Sequence, residues 1–163
     1  MMIIKFDDFS NEVQRVAHQS QNIAIRYQQD LIDLEHIFLA LIEVPDNETQ
    51  GLFSSNQSEI VRRVTSIVFK LPTGNRPVTE ASNFFIDERV KQVIELAQLE
   101  ANRFSAKEIR PIHLLSAVIQ MYTGPERRSA CGRVISEFKI TKEKVRNIIL
   151  KKIKQNSYFH FMD

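Results

Sequence analysis

Apolar residues recur along this chain at three- and four-residue spacings, in runs separated by short polar breaks. Val13, Val16, Ala17, Ile23, Ala24 and Tyr27 form the first stripe and predict a helix from Asn11 to Tyr27, with Ser10 as its cap. Asp33 is placed to cap the next helix, Leu34 to Val44, where nearly every position is apolar and burial on most sides is expected. Pro45-Asp46-Asn47 stops it. A short helix is expected around Gln50 to Ser54, then a longer one capped by Ser58, whose stripe is Ile60, Val61, Val64, Ile67, Val68 and Leu71. The stretch Pro72-Thr73-Gly74-Asn75-Arg76-Pro77 cannot be helical throughout and reads as a linker. Beyond it, Asp87 is expected to cap a helix to Phe104 with Val90, Val93, Ile94, Ala97 and Ala101 inward, and Pro111 to open a helix to Met121. Thr123-Gly124-Pro125 breaks the chain. Two further helices are expected, from Ser129 to Phe138 and from a Thr141 cap to Ile153, and then a tail without helical pattern from Asn156 to Asp163.

The two halves of this pattern repeat one another. Leu34-Glu35-His36-Ile37-Phe38-Leu39-Ala40-Leu41-Ile42 returns as Pro111-Ile112-His113-Leu114-Leu115-Ser116-Ala117-Val118-Ile119, a shift of 77 positions from His36 to His113. At that shift Val13 meets Val90, Val16 meets Val93, Ala24 meets Ala101, Tyr27 meets Phe104 and Ile32 meets Ile109. The chain is therefore expected to be all-α, with about eight helices in two four-helix repeats related by a pseudo-twofold axis. The expected boundaries are 9–71 for the first repeat, 72–85 for the linker, 86–154 for the second repeat and 155–163 for the tail. Each half is too small to bury its own stripes well, so the halves should pack together as a single domain.

Composition narrows the function classes. Among 163 residues the net charge is only +2, so no whole-molecule field calls for nucleic acid or membrane. A single cysteine, Cys131, rules out a disulfide within the chain and a cysteine-based zinc site. The opening Met1-Met2-Ile3-Ile4-Lys5-Phe6-Asp7-Asp8 is interrupted by acids before an apolar run develops, and no stretch reaches the roughly 18 apolar residues of a spanning helix. A cytoplasmic protein is the expectation.

No constellation for catalysis emerges. The phosphate-binding loop pattern is absent, which argues against ATP hydrolysis by this chain. The histidines, His18, His36, His113 and His160, form no H-E-x-x-H pair, and the matching placement of His36 and His113 points to one structural job done twice. No cofactor or metal is expected. Arginines flank Cys131, but no histidine lies near it in sequence; a hydrolytic role there stays open only as a third reading. Asp7-Asp8 and Asp87-Glu88 lie at helix starts, where the dipole favours acids. Six basic residues between Lys142 and Lys154 against one acid, Glu143, leave binding of nucleic acid or an acidic partner as an alternative to a solvated face. The loops after the two central helices differ in sign: Glu43, Asp46 and Glu48 make one acidic, while Arg127, Arg128 and Arg133 outweigh Glu126 in the other. Both are candidate partner surfaces.

Two units, each opening F/I-[S/D]-x-x-V and continuing to x-x-H-[IL]-[FL]-x-A-[LV]-I, resemble the double repeat of the Clp N-terminal domain, which heads AAA+ unfoldases such as ClpA, ClpB and ClpC. The resemblance covers Phe9 to Ile153, and its closest segment is Leu34 to Ile42, beside the family's T-E-H-[IL]-L-L-[AG]-L. It implies a helical docking domain that binds substrate proteins or adaptors and presents them to an ATPase ring. In some ClpC proteins the glutamate of T-E-H receives the guanidinium of a phosphorylated arginine, as a forked, charge-assisted pair. Glu35 is the matching residue here, with Asp33 and His36 beside it as candidate peptide-binding residues. The second unit has Ile112 at the glutamate position, and Leu34 and Pro111 replace the family's threonine. The resemblance leaves two settings open. One is a free-standing accessory protein that modulates Clp assembly, in the cytoplasm or the plastid stroma, with Clp ATPase or protease subunits as partners. The other is the front end of a longer unfoldase.

Overall fold

A computed structural model describes residues 8–162, with side chains through residue 156. The opening Met1 to Asp7, in which acids interrupt any apolar run, therefore lies outside the described residues, as does Asp163. The order is α1 (Asn11–Arg26), β1 (Leu31–Ile32), α2 (Leu34–Glu43), α3 (Gln50–Phe53), α4 (Gln57–Phe69), β2 (Phe85–Ile86), α5 (Glu88–Arg103), α6 (Pro111–Thr123), α7 (Ala130–Glu137) and α8 (Lys142–Met162). The expected all-α architecture is present, with eight helices among the described residues. None of them is long and apolar enough to cross a membrane.

The helix starts follow local chemistry. Ser10 Oγ accepts from Val13 N at 3.1 Å, Asp33 from Leu34 N at 2.7 Å, Asp87 from Arg89 N at 2.9 Å and Ser129 from Gly132 N at 3.1 Å. Two boundaries differ from the pattern. α4 begins at Gln57 and Ser58 does not cap it; Asn56 N already bonds the Phe53 carbonyl at 2.9 Å, so the chain passes from α3 into α4 through one continuous turn. α8 does not end at Ile153 but runs on to Met162, in place of the expected patternless tail. Nothing in Lys142–Met162 is glycine or proline, so no residue forces the helix to stop when its apolar stripe does.

The pseudo-twofold shows in the backbone. β1 pairs with β2 in parallel, Leu31 with Phe85 and Ile32 with Ile86, while Phe9 bridges to Ile109. At the 77-residue shift Phe9 corresponds to Ile86 and Ile32 to Ile109, so the two pairings are copies of one another. Asp87 N donates to the Ile32 carbonyl at 3.0 Å, and Ser10 N to the Ile109 carbonyl at 2.9 Å. Each repeat thus ties the start of its first helix to the segment before the other's central helix. α1 and α5 both end in a Schellman turn. Gln28 (φ 55°) and Ser105 (φ 54°) take the left-handed position, and Gln29 N and Ala106 N bond back to Ala24 and Ala101 at 2.8 and 2.9 Å.

α2 and α6 fill the centre. Leu34, Phe38, Leu39 and Ala40 in α2 and Ile112, Leu115, Val118 and Ile119 in α6 are fully buried, and Phe38 meets Tyr122 with ring centroids 5.5 Å apart. Both halves contribute to one contiguous core. The linker is held down by Gln28, whose side chain exchanges hydrogen bonds with Val78 at 2.9 and 3.0 Å and whose carbonyl accepts from Gly74 N at 2.8 Å.

Candidate functional site

Two features of the seam between the repeats stand out. The first is polar. Asp33 caps α2, Glu35 lies in its first turn, and Asp87 caps α5. Arg89, in the first turn of α5, reaches all three: its Nε is 3.0 Å from Asp87 Oδ1, its Nη2 is 3.4 Å from Glu35 Oε2, and Nη2 also pairs with Asp33 Oδ1. Its Nη1 lies 3.4 Å from Glu126 Oε1, in the loop after α6. That loop packs so closely on α7 that a Cβ at Gly132 would stand 2.5 Å from the Glu126 carbonyl, so glycine there lets Glu126 approach.

One guanidinium thus serves four carboxylates. Burial, and then the Asp33 charge, push Glu35 up to about 7, while Arg89 pulls it down. Burial works against the Arg89 charge, yet Glu35, Asp87 and Asp33 outweigh it and move its pKa up. Asp33, Glu35 and His36 are therefore brought together as the sequence placed them, but on the inside. Glu35 is 7% exposed, and the guanidinium that the resemblance would bring from a partner is supplied here by Arg89 of the second repeat. His36 has both ring nitrogens occupied: Nδ1 accepts from Asp33 N at 2.9 Å, and Nε2 meets Gln29 Oε1 at 2.6 Å.

The acidic loop is also drawn into the fold. Glu43 accepts from Gln19 at 2.8 Å, and Asp46 accepts from Glu48 N and Thr49 N at 3.2 and 3.0 Å. Glu48 accepts from Arg110 Nε at 2.7 Å and lies 3.5 Å from Lys152 Nζ. Glu48, in the loop after α2, thus crosses to two cations of the second repeat, whereas Glu126, in the loop after α6, meets Arg89 of its own repeat. Arg127, Arg128 and Arg133 remain exposed, with Arg127 donating to the Gly124 carbonyl at 3.3 Å. Several cations of the basic last helix have local partners: Lys142 donates to Gln120 and Lys144 to the Lys139 carbonyl, at 3.0 and 2.9 Å. Cys131 is 1% exposed and burial pushes its thiol up to about 12, so at neutral pH it holds its proton and is no nucleophile.

The second feature is apolar. A groove of about 220 Å³ opens between α1 and α5 over the ends of α2 and α6. Its lining is matched across the repeats: Val13 with Val90, Val16 with Val93, Ala17 with Ile94 and Ile37 with Leu114, with Phe9 at one edge. It lies on the pseudo-twofold, where the first helices of the two repeats face each other. Apart from Gln14, every lining residue is hydrophobic.

An apolar groove is what a helical docking scaffold leads one to expect, but neither its residues nor Arg89 can be picked out from the sequence alone. Arg89 leaves a trace at the repeat shift: Glu12 stands opposite Arg89, and Asp33 opposite Arg110, so two charges reverse between copies. The groove residues were legible as inward stripes; that the two stripes stop short of closing on each other was not.

No family model matches the chain. In sequence it is similar to the chaperone protein ClpB of Oceanobacillus iheyensis, 24% identical over 151 residues, which cover 93% of this chain and 18% of that protein. A second ClpB, from Clostridium perfringens, is 21% identical over 140 residues. The chain thus spans less than a fifth of the length of these curated relatives, 18% and 16%. In structure it is similar to the N-terminal domain of the caseinolytic protease associated chaperone ClpD from Arabidopsis thaliana, with TM-score 0.67, 18% identity and coverage of 94% of this chain and 99% of that one. The Hsp104 N-terminal domain from Candida albicans superposes with TM-score 0.65 at 16% identity, covering 88% and 89% of the two chains. The fold is that of a Clp N-terminal domain.

Proposed function

We propose that this Clp N-terminal-type domain is a non-enzymatic protein-docking module of the Clp system, and that the groove between α1 and α5 takes apolar side chains from an extended segment of a client or adaptor polypeptide. The observation that carries this reading is the groove itself: an opening lined almost wholly by hydrophobic side chains, paired across the two repeats. At about 220 Å³ it is smaller than the roughly 300–1,000 Å³ of small-molecule sites, and it offers almost no polar group to orient a cofactor. One or two large side chains suit it better. Such a site accepts many sequences, because burial of apolar surface is non-directional. The docking role that the resemblance implies gives this reading its setting, either at the head of an unfoldase or as a free-standing accessory. Asp33 and Glu35 support the groove by fixing α2 against Arg89 of α5, His36 ties the start of α2 to Gln29 beyond α1, and Arg127, Arg128 and Arg133 form a cationic surface for acidic stretches of the same partner.

The test uses α-casein as an unfolded client, with binding to the purified chain read by fluorescence anisotropy. Ala17 is exposed and Ile94 half-buried, so Ala17→Glu with Ile94→Glu charges the groove without opening the core. The expected result is saturable binding that weakens about tenfold or more in the double variant, since each charge must be desolvated to admit an apolar side chain. Unchanged affinity in a variant that melts as the parent does would overturn the groove. Arg128→Glu with Arg133→Glu should weaken binding by less and make it less salt-dependent.

A further inference from the structure

The two repeats differ at one spot that the fold makes consequential. In the first repeat His36 Nε2 donates to Gln29 Oε1 at 2.6 Å. The Gln29 amide then donates to the Val68 carbonyl at 2.8 Å and the Leu71 carbonyl at 3.3 Å. The glutamine fills the space between the start of α2 and the end of α4, and the imidazole is satisfied.

At the 77-residue shift Gln29 becomes Ala106, while His36 stays histidine as His113. Its imidazole is held as in the first repeat, with Arg110 N donating to His113 Nδ1 at 3.0 Å. With Nδ1 accepting, the proton of the neutral ring sits on Nε2. Burial and then the Arg110 charge lower the His113 pKa to about 4, so the ring is neutral at pH 7. The residue is 0% exposed, and its Nε2 has no hydrogen-bond partner among the described residues. A buried donor left unpaired costs about 1–3 kcal/mol, and Ala106 has nothing to offer it.

Where the glutamine would stand there is a cleft of about 630 Å³, bordered by both Ala106 and His113. Three cations, Lys107, Arg110 and Lys152, line it with one acid, Glu108; Glu48, just outside the lining, pairs with both Arg110 and Lys152, so the surplus is one positive charge. Arg110 gives Nε and Nη2 to Glu48, at 2.7 and 3.3 Å, and its Nη1 carries no hydrogen bond among the described residues. Ile149 and Ile153 of α8 form an apolar wall.

We propose that this cleft is a second binding site, separate from the α1–α5 groove, for a carboxylate carried on a peptide. A carboxylate oxygen takes the place that Gln29 Oε1 holds in the first repeat and accepts from His113 Nε2–H. Its charge faces Lys107, Arg110 and Lys152, and the residue beside it packs on Ile149 and Ile153. The surplus of cations favours an ionised acceptor over a neutral amide, and such charge-assisted bonds are roughly twice as strong as neutral ones.

The proposal does not rest on the groove, and its test reads a different atom. The full chain, labelled with nitrogen-15, is titrated while the His113 Nε2 resonance is followed. The probes are acetyl-Leu-Asp-Leu-amide, acetyl-Leu-Gly-Leu with a free carboxyl end, acetyl-Leu-Asn-Leu-amide and inorganic phosphate. A saturable shift with the aspartate peptide assigns a side-chain carboxylate; one with the free-ended peptide assigns a chain terminus; either supports the site. The asparagine peptide should bind about tenfold more weakly, the factor expected for loss of one charged hydrogen bond. Ala106→Gln restores the first repeat's arrangement, so it should keep the fold, supply the missing acceptor and weaken the carboxylate peptides about tenfold or more. Lys107→Glu, on an exposed residue, should weaken them severalfold and keeps the test decisive if Ala106→Gln fails to fold. Three results would each overturn the proposal: no saturable shift with either carboxylate, equal binding of the asparagine peptide, or saturation by phosphate alone. Retained affinity in a folded Ala106→Gln chain would do the same.

Discussion

Single residues carry more of this fold than their exposure implies. Gln28, Ser105 and Lys139 occupy the left-handed region at φ 55°, 54° and 52°, each just past a helix. Glycine is the usual occupant, because a Cβ is strained there. Gln28 recovers part of that strain by pinning the linker with its side chain. Lys139 has no such side-chain bond among the described residues: its N–H meets the Ser136 carbonyl at 3.3 Å and its carbonyl accepts from Lys144 at 2.9 Å. Lys139→Gly should therefore raise stability by about 0.5–1 kcal/mol, the relief of left-handed strain less the added entropy of the unfolded chain. Urea unfolding of the two proteins checks it; a lower midpoint in the variant would show that the turn is not strained.

Among elements, the contact that counts is α2 against α5, and it is made by Arg89. The pattern of α5 marks its apolar face and its Asp87 cap, but an arginine on the first turn of a helix reads as solvated. Only tertiary packing brings Asp33 and Glu35 of the first repeat and Glu126 of its own around it. Arg89→Ala leaves these acids facing one another, two of them largely buried. Loss of one partner from a fully buried pair costs roughly 3–5 kcal/mol. Here about 2–3 kcal/mol is expected, because 26% of the Arg89 side chain is exposed and Glu35 can take up a proton. Arg89→Lys should fall between, as it keeps the charge but loses the fork. Equilibrium unfolding measures both, and a loss below about 0.5 kcal/mol for Arg89→Ala would remove the cluster from any structural role. α8 runs past its expected end for a local reason: an apolar stripe reports where a helix is covered, not where it stops, and without glycine or proline the backbone continues.

The whole molecule sums these groups into a dependence on pH. His36 and His113 are both lowered to about 4, chiefly by burial, from an unfolded value near 6.5. Between those values the unfolded chain binds more protons, so stability is lost as pH falls through the window. Glu35 acts in the opposite sense. Its pKa is raised to about 7 from 4.5, so the folded chain binds the extra proton, and this contribution is lost as pH rises through about 7. Around pH 5.5 two protons taken up on unfolding stand against one released. The net is about one, a slope near 1.4 kcal/mol per pH unit towards lower stability in acid. Glu35→Gln removes the opposing proton and should make the decline steeper, towards twice that slope. Urea unfolding at several values between pH 5 and 6.5 tests the sign; a flatter profile in the variant would contradict it.

The sequence by itself determined the helices, most of their caps and the duplication, because apolar period, capping oxygens and repeated residues are properties of neighbours along the chain. It determined the all-α class and the pairing of two repeats for the same reason: neither half has enough apolar surface to close a core alone. Tertiary structure alone decided what the polar residues do. Glu35 read as a surface acceptor and is an inner one, since the charge that meets it comes 54 residues later in the chain. His36 and His113 read as twins, yet one is satisfied and one is not, because the difference lies at residues 29 and 106 and in the helix packed above each. The groove, too, is a gap between two stripes, and a gap has no residue to mark it. Contacts across the twofold depend on how two surfaces meet, and a linear pattern records only that each surface exists.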